Sequence, residues 1–205
     1  MQGYIISVNR ARDEDVVVTI ITADKLLTLY RFYGARHSTI NLGYKVDFEV
    51  EIDSKSTISR LRNILHLGFP WLVQPNRLLV WQQFCKLLHK HLRDNETIEA
   101  FYFELLETSA LLWEHQNPKR IAIEAYTKLL SFEGRLHKEQ ECYLCELPLL
   151  EDPALIRAFL PTHAKCSYTK SFPLRSVQKL FDEHTSILFN DGEIERLYQI
   201  VVEGF

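Results

Sequence analysis

Four side chains that bind soft metals stand in two close pairs. Cys142-Tyr143-Leu144-Cys145 is followed, after seventeen residues, by His163-Ala164-Lys165-Cys166. Tight turns can hold a CxxC and an HxxC of this kind, and together they offer three thiolates and one imidazole to a tetrahedral zinc ion. Zinc ribbons usually keep glycine beside their knuckles. The stretch Glu146 to Thr162 has none, and it contains the helix-like run Pro153 to Leu160. Such a folded insert could staple the pairs without a metal. Structural zinc, buried unligated thiols and a redox dithiol are therefore the three readings, the last disfavoured because no βαβ pattern surrounds the CxxC.

A second group of residues has the chemistry of a nucleic-acid face. Arg31 and Tyr33 alternate along one apolar run, Arg36 and His37 follow in a turn, and Tyr44, Lys45, Lys55, Arg60 and Arg62 are near in sequence. Arg10 and Arg12 stand in the first loop. Guanidinium and ammonium groups neutralise phosphates, while exposed aromatic rings stack on unpaired bases. The alternative is an ordinary surface in which Asp13, Glu14, Asp15 and Asp24 balance the charges and the aromatic rings fill a core. Asp13-Glu14-Asp15 reads as a solvated loop, with a divalent-cation site as its second reading.

The elements that must position these groups are strands first and helices afterwards. In Lys45 to Ile52, Val46, Phe48, Val50 and Ile52 share one face and the charged residues share the other, as a half-buried strand requires. Gly3 to Val8, Asp15 to Thr22 and Lys25 to Tyr33 are similar runs, and Ala23-Asp24 is short enough to close a hairpin. A fifth strand is expected between Ser54 and Arg62, with Ile58, Arg60, Arg62 and Ile64 on one face. Five short strands in this span predict a small Greek-key barrel of the OB-fold type, with an SH3-like barrel as runner-up. From Asn76 the period becomes helical, with Leu78, Leu79, Phe84, Leu87, Leu88 and Leu92 as the core stripe. Further helices are expected over Glu96 to His115, from Asn117-Pro118 to about Leu136, from Leu174 to Ser186, and from an Asp191 cap to Val202. The predicted fold is thus α+β: an OB-fold barrel over residues 1–70, then an all-helical domain over 71–205 with the CxxC/HxxC insert at about 140–168.

Composition sets limits on function. The 205 residues carry 24 basic and 27 acidic side chains, a formal charge of −3, so no general electrostatic grip on nucleic acid is available. Residues 51–80 hold four basic and two acidic groups, whereas 171–205 hold three and six, which places any DNA face in the first 80 residues. The seven glycines, at 3, 34, 43, 68, 134, 192 and 204, permit neither a GxGxxG turn nor a P-loop, so no nucleotide cofactor is expected. GxSxG, HExxH and zinc-deaminase signatures are also missing, and no enzyme is predicted. His89 and His91 face different ways on a helix and make a poor metal pair. No basic leader opens the chain, and no run approaches the roughly 18 apolar residues of a membrane span. A cytoplasmic protein without membrane association is expected.

The order of barrel, helices and CxxC resembles the bacterial recombination mediator RecO family. The segments that carry the resemblance are Gly3-Tyr4-Ile5-Ile6, the run Glu14 to Thr22, the turn Tyr33-Gly34-Ala35-Arg36-His37-Ser38, and Ser131-Phe132-Glu133 through Cys145. The chain would be a short, divergent member, because the family carries basic residues at the positions of Tyr33 and His37 and a CxxC at the second knuckle. The resemblance implies an OB-fold that binds single- and double-stranded DNA, anneals complementary strands without ATP, and works with RecR and the single-strand binding protein SSB to load RecA. It also implies association with the nucleoid when bound to DNA. The competing expectation is a protein-interaction adaptor with little DNA binding of its own.

Overall fold

The computed structural model describes residues 1–52, 57–93, 95 and 97–204. Two compact units divide the chain, Met1–His115 and Gln116–Phe205.

The first unit begins with five strands: β1 (Gln2–Arg10), β2 (Val16–Ile21), β3 (Leu26–Arg31), β4 (Lys45–Glu51) and β5 (Arg60–His66). They close into a barrel in the order β1-β2-β3-β5-β4, with β4 returning to β1. All pairings are antiparallel except β3 with β5, which is parallel. A five-stranded barrel closed in this order is the OB-fold, and the SH3-like alternative is set aside. Alternation along the strands turns Ile5, Val18, Ile20, Leu29, Val46, Phe48 and Leu61 into one buried core. The Ala23-Asp24 hairpin forms as expected, with the Thr22 amide donating to the Lys25 carbonyl at 2.9 Å.

The fifth strand differs from its expectation. It starts at Arg60 and carries a bulge where Asn63 is left-handed, at φ 43°. Glu49 pairs with Arg62 and Asp47 with Leu65, so β5 uses one more residue than β4. A bulge of this kind resets the inside-outside phase. Leu61 and Ile64 consequently face the core while Arg62 is exposed, and the expected shared face of Ile58, Arg60, Arg62 and Ile64 does not form.

Helices α1 (Pro75–Leu92) and α2 (Ala100–Leu112) belong to the same compact unit as the barrel. The change of periodicity near residue 70 marks where strands give way to helices, whereas the compact units divide later. The aromatic core explains why. Trp71, Trp81 and Trp113 are fully buried, with Trp81 and Trp113 at 4.9 Å between ring centroids and Tyr4 of β1 at 5.8 Å from Trp81. The Trp81 indole also donates to the carbonyl of Gly43 at 2.7 Å. On α1, Phe84, Leu87, Leu88 and Leu92 are buried as the stripe predicts, but Leu79 is exposed and Val80 and Trp81 take the inner face instead.

The second unit contains α3 (Pro118–Phe132), the strands β6 (Ala154–Ile156) and β7 (Leu160–Thr162), then α4 (Ala164–Ser167), α5 (Leu174–Glu183) and α6 (Asp191–Glu203). Asn117 caps α3 by accepting from the Lys119 amide at 3.0 Å. The cap of α6 is Asn190 rather than Asp191, in a reciprocal capping box with Glu193. The unit is helical but not all-helical, because Pro153 to Leu160 forms a hairpin where a helix was expected. Ala158 and Phe159 both adopt left-handed backbone, at φ 59° and 55°, which reverses the chain. The apolar content that read as a helix face is spent on burying Ala154, Leu155 and Phe159.

Among the described residues, no helix is long and apolar enough to cross a membrane.

Candidate nucleic-acid interface and Cys/His cluster

Strand β3 ends at Arg31, and the chain turns at once. Tyr33 is left-handed at φ 53° and leads into a 3₁₀ turn over Gly34–Arg36. Asp15 holds this turn. One carboxylate oxygen accepts the Tyr33 amide at 2.7 Å and the other accepts the Tyr30 hydroxyl at 2.5 Å, while the Ala35 amide donates to the Glu14 carbonyl. These bonds, the Tyr30 hydroxyl first, keep the Asp15 carboxyl below its ordinary range, and the same bond raises the Tyr30 phenol. Gly34 is required for the close approach: a Cβ there would lie 2.2 Å from the Val16 methyl. Asp15 thus has a structural assignment in the turn and Glu14 pairs with Arg36, while Asp13 is exposed.

The clamped turn and β5 enclose an open pocket of about 330 Å³, lined by Tyr30, Arg31, Phe32, Tyr33, His37, Arg60, Leu61 and Arg62. Of the predicted face, Arg31, Tyr33, His37, Arg60 and Arg62 meet here. Phe32 and Tyr33 are 44% and 59% exposed. The Arg60 guanidinium lies 5.2 Å over the Phe32 ring and that of Arg36 lies 5.3 Å over Tyr33, so each exposed ring is paired with a cation. Arg31 donates to the Leu61 carbonyl at 3.0 Å and sits 3.3 Å from the His37 ring nitrogen. Its Nε is buried and meets no acceptor among the described residues.

Among the described residues, carboxylates partner Arg62 and Arg36. Arg62 pairs with Glu51 at 2.6 Å and Arg36 with Glu14. All four side chains are 41% exposed or more, and exposed pairs of this kind are worth about 0–1 kcal/mol. A phosphate can replace such partners at small cost.

The other predicted contacts lie elsewhere. Lys45 is withdrawn from the face: its side chain is 15% exposed, bonds Glu107 of α2 at 2.7 Å and lies over the Tyr4 ring. Arg10 is exposed at the end of β1, in the cross-strand row of Val16 and Arg31. Arg12 is exposed in the loop after it. Lys55 lies outside the described residues. Phe32 and Tyr30 line the pocket without having been singled out from sequence. Alternation places Arg31 and Tyr33 together and hides Phe32, whereas the left-handed Tyr33 breaks the alternation and turns both rings outward. Four consecutive basic or aromatic residues at a strand end, Tyr30 to Tyr33, were the available signal.

In the second unit, the ligand atoms of Cys142, Cys145, His163 and Cys166 all lie within 4.8 Å of one another. The Cys145 and Cys166 sulfurs are 3.8 Å apart, and His163 Nδ1 is 3.4 Å from Cys145 Sγ and 3.8 Å from Cys166 Sγ. Zn–S and Zn–N bonds of ordinary length in a tetrahedron put sulfurs about 3.8 Å apart and sulfur about 3.6 Å from nitrogen. The donor set fits a tetrahedral soft-metal site. His163 Nε2 lies 3.1 Å from the Pro148 carbonyl, the outer-shell contact that leaves Nδ1 free to ligate.

Both knuckles manage without glycine. The first closes with the Glu146 amide on the Cys142 carbonyl at 2.8 Å and places Glu146 at φ 58°. In the second, His163 precedes the short α4, which ends on left-handed Tyr168 at φ 56°. Cys142 is 1% exposed. Desolvation raises its thiol, but the amides of His163, Leu144 and Cys145 point at the sulfur and bring it down to about 6, whereas hydrogen bonding to Cys145 pushes Cys166 up to about 11. Cys85 lies apart, buried within α1, its thiol raised by desolvation.

Residues 1–72 match the family model described as RecO N terminal. The matched span covers the five-stranded barrel and the turn through Trp71, and it stops before α1; α1, α2 and the Cys/His cluster lie beyond it. No curated protein matches the chain.

Proposed function

We propose that this protein is a DNA repair and recombination mediator that binds single- and double-stranded DNA on its barrel, anneals complementary strands, and works with RecR and SSB in loading RecA. The observation that carries the reading is the pocket on the barrel, where Phe32 and Tyr33 stand exposed among Arg31, Arg60 and Arg62, with Arg36 over the Tyr33 ring. Rings of this kind stack on unpaired bases, and guanidinium groups track the phosphates beside them. Annealing then needs only charge neutralisation and transient stacking, so no catalytic residue and no nucleotide cofactor enter. Arg10 and Arg12 extend the face, and Lys45 supports the barrel instead of touching phosphate. In this reading residues 1–70 do the binding, residues 71–205 carry the helical part, and the protein acts in the cytoplasm on nucleoid DNA.

The test is strand annealing. Two complementary labelled oligonucleotides should pair faster with the protein than alone, at low salt and without ATP. No acceleration and no oligonucleotide binding, combined with capture of RecR or the SSB tail, would make the protein an adaptor instead.

The cluster in this reading holds a structural zinc through Cys142, Cys145, His163 and Cys166. Four protein ligands leave no open position, so the ion's role is to cross-link the two knuckles. Metal analysis of protein purified without chelator should give about one zinc per chain, lost in Cys142→Ser.

A further inference from the structure

We propose that Cys145 and Cys166 form a site of reversible oxidation, in which a peroxide joins the two sulfurs as a disulfide and the metal is released. The three thiols of the cluster differ in access. Cys142 is buried, and its sulfur accepts the His163 amide of the second knuckle at 3.3 Å, which holds it away from solvent. Cys145 is exposed and Cys166 is half-buried, and their sulfurs are 3.8 Å apart. An oxidant arriving from solvent therefore meets the pair that bridges the two knuckles before it meets Cys142.

The chemistry balances with hydrogen peroxide as the oxidant. The Cys145 thiolate attacks one peroxide oxygen, the O–O bond breaks, and one water leaves after protonation, so that Cys145 becomes a sulfenic acid. The Cys166 thiolate then attacks that sulfur and expels the second water. In sum, two thiolates, two protons and one peroxide give one disulfide and two waters. Only Cys142 and His163 remain as ligands, too few to hold the ion, which leaves. The disulfide spans the same two knuckles as the metal did, and a covalent bond replaces a coordinate cross-link at one place in the fold. Thiol reductants reverse the step.

The released ion rests on the zinc reading above, whereas the sulfur linkage does not. The experiment uses the full chain, with zinc measured first. Hydrogen peroxide is then added, zinc release is followed with a chromogenic chelator, and the linkage is mapped by alkylation and peptide mass spectrometry. The expected result is one zinc freed per disulfide formed, a Cys145–Cys166 linkage with Cys142 still open to alkylation in denaturant, and recovery with dithiothreitol. A Cys142–Cys145 or Cys142–Cys166 linkage, sulfinic acid without a cross-link, or thiols that survive excess peroxide would overturn the proposal. A preparation that carries no zinc before oxidation overturns the metal reading alone, and the linkage map still decides the pair.

Discussion

Removing the pocket's cations should change not only how tightly DNA binds but how binding responds to salt. Arg31, Arg36, Arg60 and Arg62 are the four guanidinium groups at or beside the pocket, and they set the pocket's share of the salt slope, to which Arg10 and Arg12 would add equally in wild type and variant. Each phosphate neutralised on a single strand contributes about −0.7 to the slope of log affinity against log salt, so four contacts give roughly −2.8. Between 50 and 200 mM salt that slope weakens binding by roughly 50-fold. In the double variant Arg60→Ala/Arg62→Ala two contacts remain, the slope falls to roughly −1.4, and the same salt step costs only about 7-fold. Arg60 and Arg62 lie at the edge of β5 and contribute nothing to the buried barrel core, so the variant should fold, as circular dichroism can check. Fluorescence anisotropy of a labelled oligothymidylate across a salt series measures both slopes. Equal slopes for the wild type and the variant would refute the assignment of these residues to phosphate, whatever happened to the affinity at one salt concentration.

Three further outcomes follow from the same face. Phe32→Ala should weaken single-strand binding by about 1–3 kcal/mol, the range for a stacked base, and affect duplex binding less in a parallel titration. Gly34→Ala, whose Cβ meets the Val16 methyl at 2.2 Å, should destabilise the first unit by about 1–3 kcal/mol in chemical denaturation through overpacking; unchanged stability would show that the turn can move away from β2. The Asp15 clamp should depend on pH. Its folded carboxyl lies below the ordinary 3.8, so the clamp's contribution is complete above that value and is lost as the pH falls through the lower folded one. The Tyr33 amide, observed by nuclear magnetic resonance, should therefore keep its shift at pH 5 and lose it only on strong acidification, and an earlier change at pH 5 to 6 would assign the turn to another group.

Much of the architecture was legible because period and burial agree. The strand expected over Lys45 to Ile52 forms as Lys45–Glu51, with Val46 and Phe48 buried and Val50 half-buried, whereas Ile52 lies past its end and is exposed. What misled was local backbone conformation that no side-chain period encodes. Asn63 inserts a bulge in β5, Tyr33 ends the alternation of β3, and Ala158 and Phe159 fold an apolar run into a hairpin. All four are left-handed residues other than glycine; Asn63 is a type that visits this region readily, whereas Tyr33, Ala158 and Phe159 have no such propensity to read. The Cys/His cluster was legible from spacing alone, since CxxC and HxxC need only a turn each. The missing glycines argued against it, but Glu146 and Tyr168 take left-handed positions without them. Lys45 was invisible as a buried partner because Glu107 is 62 residues away.

The tryptophan core carries a practical consequence. All three tryptophans of the chain, Trp71, Trp81 and Trp113, lie before His115. Intrinsic fluorescence excited at the indole band is therefore a built-in gauge of the first unit alone, and unfolding of the second must be followed by another signal. The same core says where to cut. A fragment ending at residue 72 would strip Trp71 and Tyr4 of Trp81, leaving indole and phenol in water, whereas one ending at His115 keeps every ring of the cluster among its neighbours.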